Sequence, residues 1–175
     1  MRAFLLTGLV GVTVLLAPLP VKAFKSEKDF FQGEQAARRG DIDGAFMHFR
    51  SVVMGEAEQL YYGQALFAVG EYYYLKGVYT EAVKSFTQFV KNDPRSEARI
   101  FALAYLMKIA EFQERDSLAE ILRHQIATFR QVSLLFRDSR EFEYLSCLQR
   151  NLKVVYYIDK VEFYVNEELF TRIPY

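Results

Sequence analysis

The sequence predicts a mainly α-helical chain: a short solenoid of about three helix hairpins, closed by a small β-rich carboxyl-terminal module. Three observations carry that expectation. The stretch from Leu66 to Pro94, LFAVGEYYYLKGVYTEAVKSFTQFVKNDP, sets two apolar stripes at helical spacing on either side of Gly77. Ala45, Ala82 and Ala119 recur at one constant interval. After about Gln131 the helical period gives way to alternating β-branched and aromatic residues.

The chain opens with MRAFLLTGLVGVTVLLAPLPVKAF, in which Arg2 precedes an apolar run from Phe4 to Leu16 and Val21-Lys22-Ala23 makes a small-residue cleavage site. Residues 1–23 read as a secretory signal peptide cut after Ala23. The alternative is a retained membrane anchor, disfavoured because the run is short and broken by Gly8, Gly11 and Pro18. No cysteine lies near the cut, which closes the lipid-anchored route. An exported product, periplasmic or secreted and soluble after cleavage, is expected, touching membrane only through this segment. Removal of residues 1–23 takes away Arg2 and Lys22 and leaves 20 basic against 22 acidic residues, so nucleic acid is an improbable partner. About half the residues are apolar, and a chain this long can bury a continuous core as one domain.

The repeat domain, residues 24–131, starts with GEQAARRGDIDGAFMHF. Gly33 stands at a tight interhelical contact, Gly40 at the turn, Ile42 just after it, and Ala45 and Phe49 on the second helix. In the central hairpin Leu66, Val69, Gly70 and Tyr73 face Tyr79, Ala82, Phe86 and Phe89 across Gly77, and Asp93-Pro94 forbids further helix. This order of bulky residue, Gly, Tyr, Gly, Tyr, Ala, Phe and closing Pro resembles the tetratricopeptide repeat. The departure is Phe89, where that family carries a small residue, which predicts wider packing onto the next helix. In the third copy Leu103, Leu106, Ala110 and Ala119 match, while Glu114 and Asp116 replace the turn Gly and Tyr. The interval slightly exceeds the family's usual period of about 34, predicting longer first helices.

The carboxyl-terminal module, residues 132–175, is expected to be a β-rich cap. Val161, Phe163 and Val165 alternate with Glu162 and Tyr164, a turn falls at Asn166-Glu167-Glu168, and Leu169, Thr171 and Ile173 alternate with Phe170 and Arg172. A second turn at Asp159-Lys160 adds a strand from Lys153 to Ile158. The run VSLLFRDSREFEYLS reads as a further hairpin about Asp138-Ser139, although Arg140 to Arg150 also fits an amphipathic helix. A hairpin alone is marginal in water, so the module must pack on the last helices, as a solenoid cap or as an edge open to a partner strand.

The resemblance implies a concave groove lined by the first helix of each repeat and used to bind peptides. On the central helix that stripe is Gln64, Phe67, Glu71 and Tyr74, with Phe30, Glu34, Phe101 and Lys108 at equivalent places in the flanking units. These aromatics are either partner anchors or cover for lengthened hairpins. Arg123, Arg130 and Arg137, with His124 beside the first, form a second candidate: a basic row for an acidic partner, or a solvated face diluted by Glu120 and Asp138. Catalysis has little to draw on, since His48, His124 and the lone Cys147 form no metal spacing, phosphate loop or serine elbow, and no cofactor is implied. Cys147 has no intrachain partner for a disulfide and reads as a buried, inert thiol.

The expectation is therefore a non-catalytic protein-binding scaffold of the bacterial cell envelope, taking a segment of another envelope protein in its groove. The resemblance extends to periplasmic repeat proteins that serve outer-membrane β-barrel assembly and the Tol-Pal system. Two alternatives stay open: a carbohydrate or peptidoglycan binder that reads sugars with exposed tyrosines, and self-association into a homo-oligomer through the terminal hairpin edge.

Overall fold

The computed structural model describes residues 21–55, 60–128 and 139–175. Among them six helices are followed by one four-stranded antiparallel sheet. The helices are α1 (Val21–Arg38), α2 (Ile42–Val53), α3 (Tyr62–Leu75), α4 (Tyr79–Asn92), α5 (Arg99–Phe112) and α6 (Asp116–Thr128). They pack as hairpins, α1 with α2, α3 with α4 and α5 with α6, and each hairpin leans on the next through α2 with α3 and α4 with α5. Most of the expected signal segment lies outside the described residues; α1 begins at Val21, just ahead of the expected cut. No helix among the described residues is long and apolar enough to cross a membrane.

The three hairpin turns share one hydrogen-bond pattern. Gly40 N–H donates to Ala37 C=O and Asp41 N–H to Ala36 C=O; Gly77 and Val78 repeat this onto Tyr74 and Tyr73, and Glu114 and Arg115 onto Glu111 and Ala110. The first residue of each pair sits in the left-handed region, at φ 80° for Gly40, 71° for Gly77 and 55° for Glu114. Glycine adopts that conformation freely, whereas Glu114 bears a steric cost of about 1 to 2 kcal/mol for the same turn.

The recurring alanines are the closest packed points. Ala45, Ala82 and Ala119 are all fully buried. A Cβ on Gly33 would stand 2.7 Å from the Phe49 ring, and one on Gly70 would stand 2.8 Å from Phe86, so in the first two hairpins a glycine admits a phenylalanine. In the third hairpin the same two places hold Met107 and Arg123. Met107 is fully buried and fills the space itself, while Arg123 stays partly exposed and bonds Glu111 and Glu120, both at 2.8 Å. The third copy thus changes both halves of the contact together, which is why it looks worn in sequence. Phe89 turns its ring onto Phe67 of its own hairpin, at 5.4 Å.

The strands are β1 (Ser139–Leu145), β2 (Asn151–Tyr157), β3 (Lys160–Val165) and β4 (Glu168–Pro174), paired in chain order. β1 meets β2 from Ser139 opposite Tyr157 to Leu145 opposite Asn151 without a break. The stretch from Arg140 that also fitted a helix is therefore strand up to Leu145, followed by a turn; the expected preceding strand, 132–138, lies outside the described residues. Asn166 and Glu167, at φ 50° and 69°, make the two-residue turn between β3 and β4, and Asn166 Oδ1 accepts from Asn151 N–H at 2.9 Å. Phe163 pairs with Thr171 but Tyr164 pairs with Leu169, so Phe170 is a bulge residue. The bulge corrects the simple alternation. Leu169 is left 49% exposed, and Phe170 takes its place toward the helices.

Candidate functional site

Helices α3 and α5 are apolar almost all round, and that composition determines what the inner face does. In RIFALAYLMKIAEF every residue from Ile100 to Tyr105 is buried, although only part of that circumference meets other helices. A helix without a polar face needs cover on every side. The sheet supplies it: the Phe67 ring lies 5.7 Å from Tyr144, Phe101 lies 5.9 Å from Phe142 and 6.1 Å from Phe163, and Phe170 lies 5.9 Å from Tyr74 and 5.1 Å from Tyr105. Leu152, Val154, Val161, Phe163 and Ile173 share one buried core with α3 to α6.

The sheet therefore covers much of the stripe expected to line the groove. Phe67, Glu71 and Phe101 lie on the inner face and are buried, the two phenylalanines against rings of the chain's own sheet. Tyr74 is half-buried under Phe170, with its phenol pushed up to about 12 by burial. Gln64 remains exposed. Lys108 is half-buried at the far end, 3.2 Å from Glu111 and over the Phe112 ring. The sheet lies across α3 and α5 through its aromatic contacts and shares its core with α6.

Glu71 is the chemically unusual member. Its side chain is fully buried; Oε1 accepts from the Tyr105 hydroxyl at 3.1 Å and lies 3.7 Å from Arg150 Nη1, while Oε2 has no hydrogen-bond partner. Arg150 also donates to the Tyr105 hydroxyl at 3.1 Å. Burial raises the Glu71 carboxyl above its ordinary range, opposed by the Arg150 charge and by the Ser146 and Tyr105 hydroxyls. A pair at 3.7 Å with one orphaned oxygen recovers only part of the desolvation it cost.

Arg150 ends the turn from Ser146, closed by Ser146 N–H donating to Arg150 C=O at 2.9 Å. That turn reaches toward the first two hairpins. Leu148 and Cys147 are buried with Phe30, Phe49, Ala65 and Ala68. The Cys147 thiol is pushed up to about 12 by burial, which leaves it uncharged and a poor nucleophile. Beside the turn, a hollow of about 480 Å³ stays open among Phe31, Glu34, Tyr61, Gln64, Leu145 and Gln149. It is the uncovered amino-terminal end of the inner face. Of the expected stripe it keeps Gln64, Glu34 and the edge of Phe30.

Of the expected arginine row the structure describes Arg123 alone. Arg123 is held by Glu111 and Glu120, and Arg130 and Arg137 lie outside the described residues. On the outer side of the sheet Glu162 accepts from Tyr164 at 2.6 Å and Arg172 at 2.7 Å and lies 3.1 Å from Lys160, and with the Tyr164 bond as the leading cause its carboxyl falls to about 2.

Sequence reasoning missed Tyr105, Tyr144, Phe31 and Arg150. Tyr105 had a readable signal, since a hydroxyl in the middle of an all-apolar helix needs a partner from outside that helix. Arg150 had none, because a charged residue in a turn is ordinarily solvated. A scan against protein-family models and a search of characterised proteins match nothing to this chain.

Proposed function

We propose that this chain is a non-catalytic binding module of tetratricopeptide-repeat type that works in a bacterial cell envelope and holds a segment of another envelope protein. The repeat reading is supported by the shared turn pattern at Gly40, Gly77 and Glu114 and by the equally buried Ala45, Ala82 and Ala119. Export is supported by the leader-like residues 1–23. The observation that carries the binding reading is the use of the inner face. It already holds a β element through aromatic anchors and the Glu71, Tyr105 and Arg150 cluster, and among the described residues its end at Phe31, Glu34 and Gln64 is left open. A partner segment enters there, at about the volume that a few side chains fill.

Site-specific photo-crosslinking tests this in the source cell. Benzoylphenylalanine at position 31 is expected to trap one discrete envelope protein, and the same probe at exposed position 91 to trap none. Absence of an adduct at 31, or identical adducts at both, would overturn the reading. Mass spectrometry of the isolated chain checks export separately, the expected amino terminus being Phe24.

A further inference from the structure

The hollow at the amino-terminal end of the inner face is walled by rings set at two angles. Phe30 and Tyr61 stack at 4.3 Å with their planes 10° apart, and Phe31 stands across both, at 73° to Phe30 and 64° to Tyr61. Tyr144 of β1 also lines the hollow. Phe31 is 47% exposed even with these rings beside it. Tyr61 holds φ 70°, a left-handed conformation that a side chain makes costly, and in it the ring lies flat on Phe30. Strain kept at a residue that lines a hollow points to a use for that residue.

Two charged side chains line the hollow, Glu34 and Arg38. Glu34 follows Phe30 and Phe31 by one turn of α1 and shares their face of the helix. The Arg38 that pairs with it at 3.6 Å is 65% exposed. Such a pair on a helix surface is weak and gives way to a better-placed cation. Behind the turn from Ser146, Glu71 and Arg150 lie 3.7 Å apart and offset each other in charge. The Cys147 thiol, which lines the hollow, is kept uncharged first by burial and then by the acids Glu34 and Glu71. Arg140 stands at the other end of β1, opposite Tyr156 and roughly 17 Å along the strand from Leu145.

We propose that the hollow takes a basic side chain of the partner segment, a lysine or arginine whose aliphatic stem runs along Phe31 and Tyr61 and whose charged head meets Glu34 in place of Arg38. Aromatic rings cover such a stem and attract its cation through their quadrupole, an attraction that an acid lacks. The proposal rests on the partner-binding reading above and supplies the charge of the group that enters.

The test titrates the purified full chain with Nα-acetyl-lysine methylamide and with its norleucine and glutamate counterparts, read from NMR shifts of the Gln64 and Gln149 side-chain amides that line the hollow. Lysine is expected to bind about three- to tenfold tighter than norleucine, through a ring–cation contact and one exposed ion pair, with glutamate weakest. Phe31→Leu keeps an apolar wall and is expected to cut lysine binding about two- to fivefold while norleucine binding holds. Arg38→Gln removes the competing cation and is expected to tighten lysine binding about twofold. Glu34→Gln leaves the Arg38 charge without that carboxylate, which is expected to abolish the lysine preference and let glutamate bind tightest. Equal binding of lysine and norleucine, or no shift with any probe, would overturn the proposal. Glutamate binding tightest to the native chain would make Arg38 the recognising charge and overturn it as well. If the lysine preference fails while the adduct at position 31 still forms, the basic assignment falls and the partner reading survives. If lysine is preferred and no adduct forms, the cation comes from a free amine and the partner reading falls.

Discussion

Glu71 is the residue at which polar and apolar demands on the inner face collide. Its carboxyl is raised by burial against the opposing Arg150 charge, so folding favours its protonated form more than the unfolded chain does. The cost is absent below the ordinary 4.5 and grows as pH rises through the raised value, which makes Glu71 a liability at neutral pH. Glu71→Gln keeps an acceptor for the Tyr105 hydroxyl and removes the buried charge; Arg150, not fully buried, retains that hydroxyl and some solvent. The variant is expected to melt above the native chain at pH 7, with the gap closing toward pH 4.5. Thermal melts across that range check this, and a variant less stable at pH 7 would mean that the Arg150 pair outweighs desolvation. Ala82 poses a purely steric question. It is fully buried where α4 touches α3, so Ala82→Leu is expected to lower stability by about 1 to 3 kcal/mol in denaturant titration.

At the level of elements, the third hairpin departs from the other two in its turn and in its tight contact. Gly40 and Gly77 have open space where a Cβ would be, and Glu114 holds the same left-handed conformation with a side chain attached. Glu114→Gly relieves about 1 to 2 kcal/mol of strain and adds about 0.4 to 1 kcal/mol of chain freedom to the unfolded state. Relief wins, and a gain of about 0.5 to 1 kcal/mol in urea unfolding is expected. The hairpins were legible because their signals are local: stripe spacing, turn glycines and the Asp93-Pro94 stop lie within one unit. The β3–β4 turn was legible for the same reason, through Asn166 and Glu167. Phe170 was not, because a bulge shifts the alternation and only cross-strand register reveals it. The covered stripe was half legible: the sequence placed Phe67, Glu71 and Tyr74 on the inner face, and the missing polar side of α5 stated that something must cover it. That the sheet does so depends on contacts such as Phe101 with Phe163, far apart in the chain, which no local pattern encodes.

Across the whole molecule α3 to α6 share one core with the sheet, and the α1–α2 hairpin joins α3 and the turn at Cys147 and Leu148 in a second, so helices and sheet are expected to unfold together. Phe163 is fully buried between β3 and α5, and Phe163→Ala is expected to cost about 3 to 5 kcal/mol. Far-UV helical signal and tyrosine fluorescence should then shift to the same lower melting point; a helical transition that stays put while the sheet melts early would show two independent units. The dependence of the inner face on the last residues of the chain also has a consequence in time. A chain made from its amino end completes α3 and α5 before residues 139–175 exist. At about 5 to 20 residues per second those last residues take roughly 2 to 7 s to make. For those seconds Phe67, Phe101 and Tyr105 lie bare and Glu71 is solvated beside them, so the nascent helices need either a chaperone or a brief life before the strand containing Tyr144 arrives to shield them.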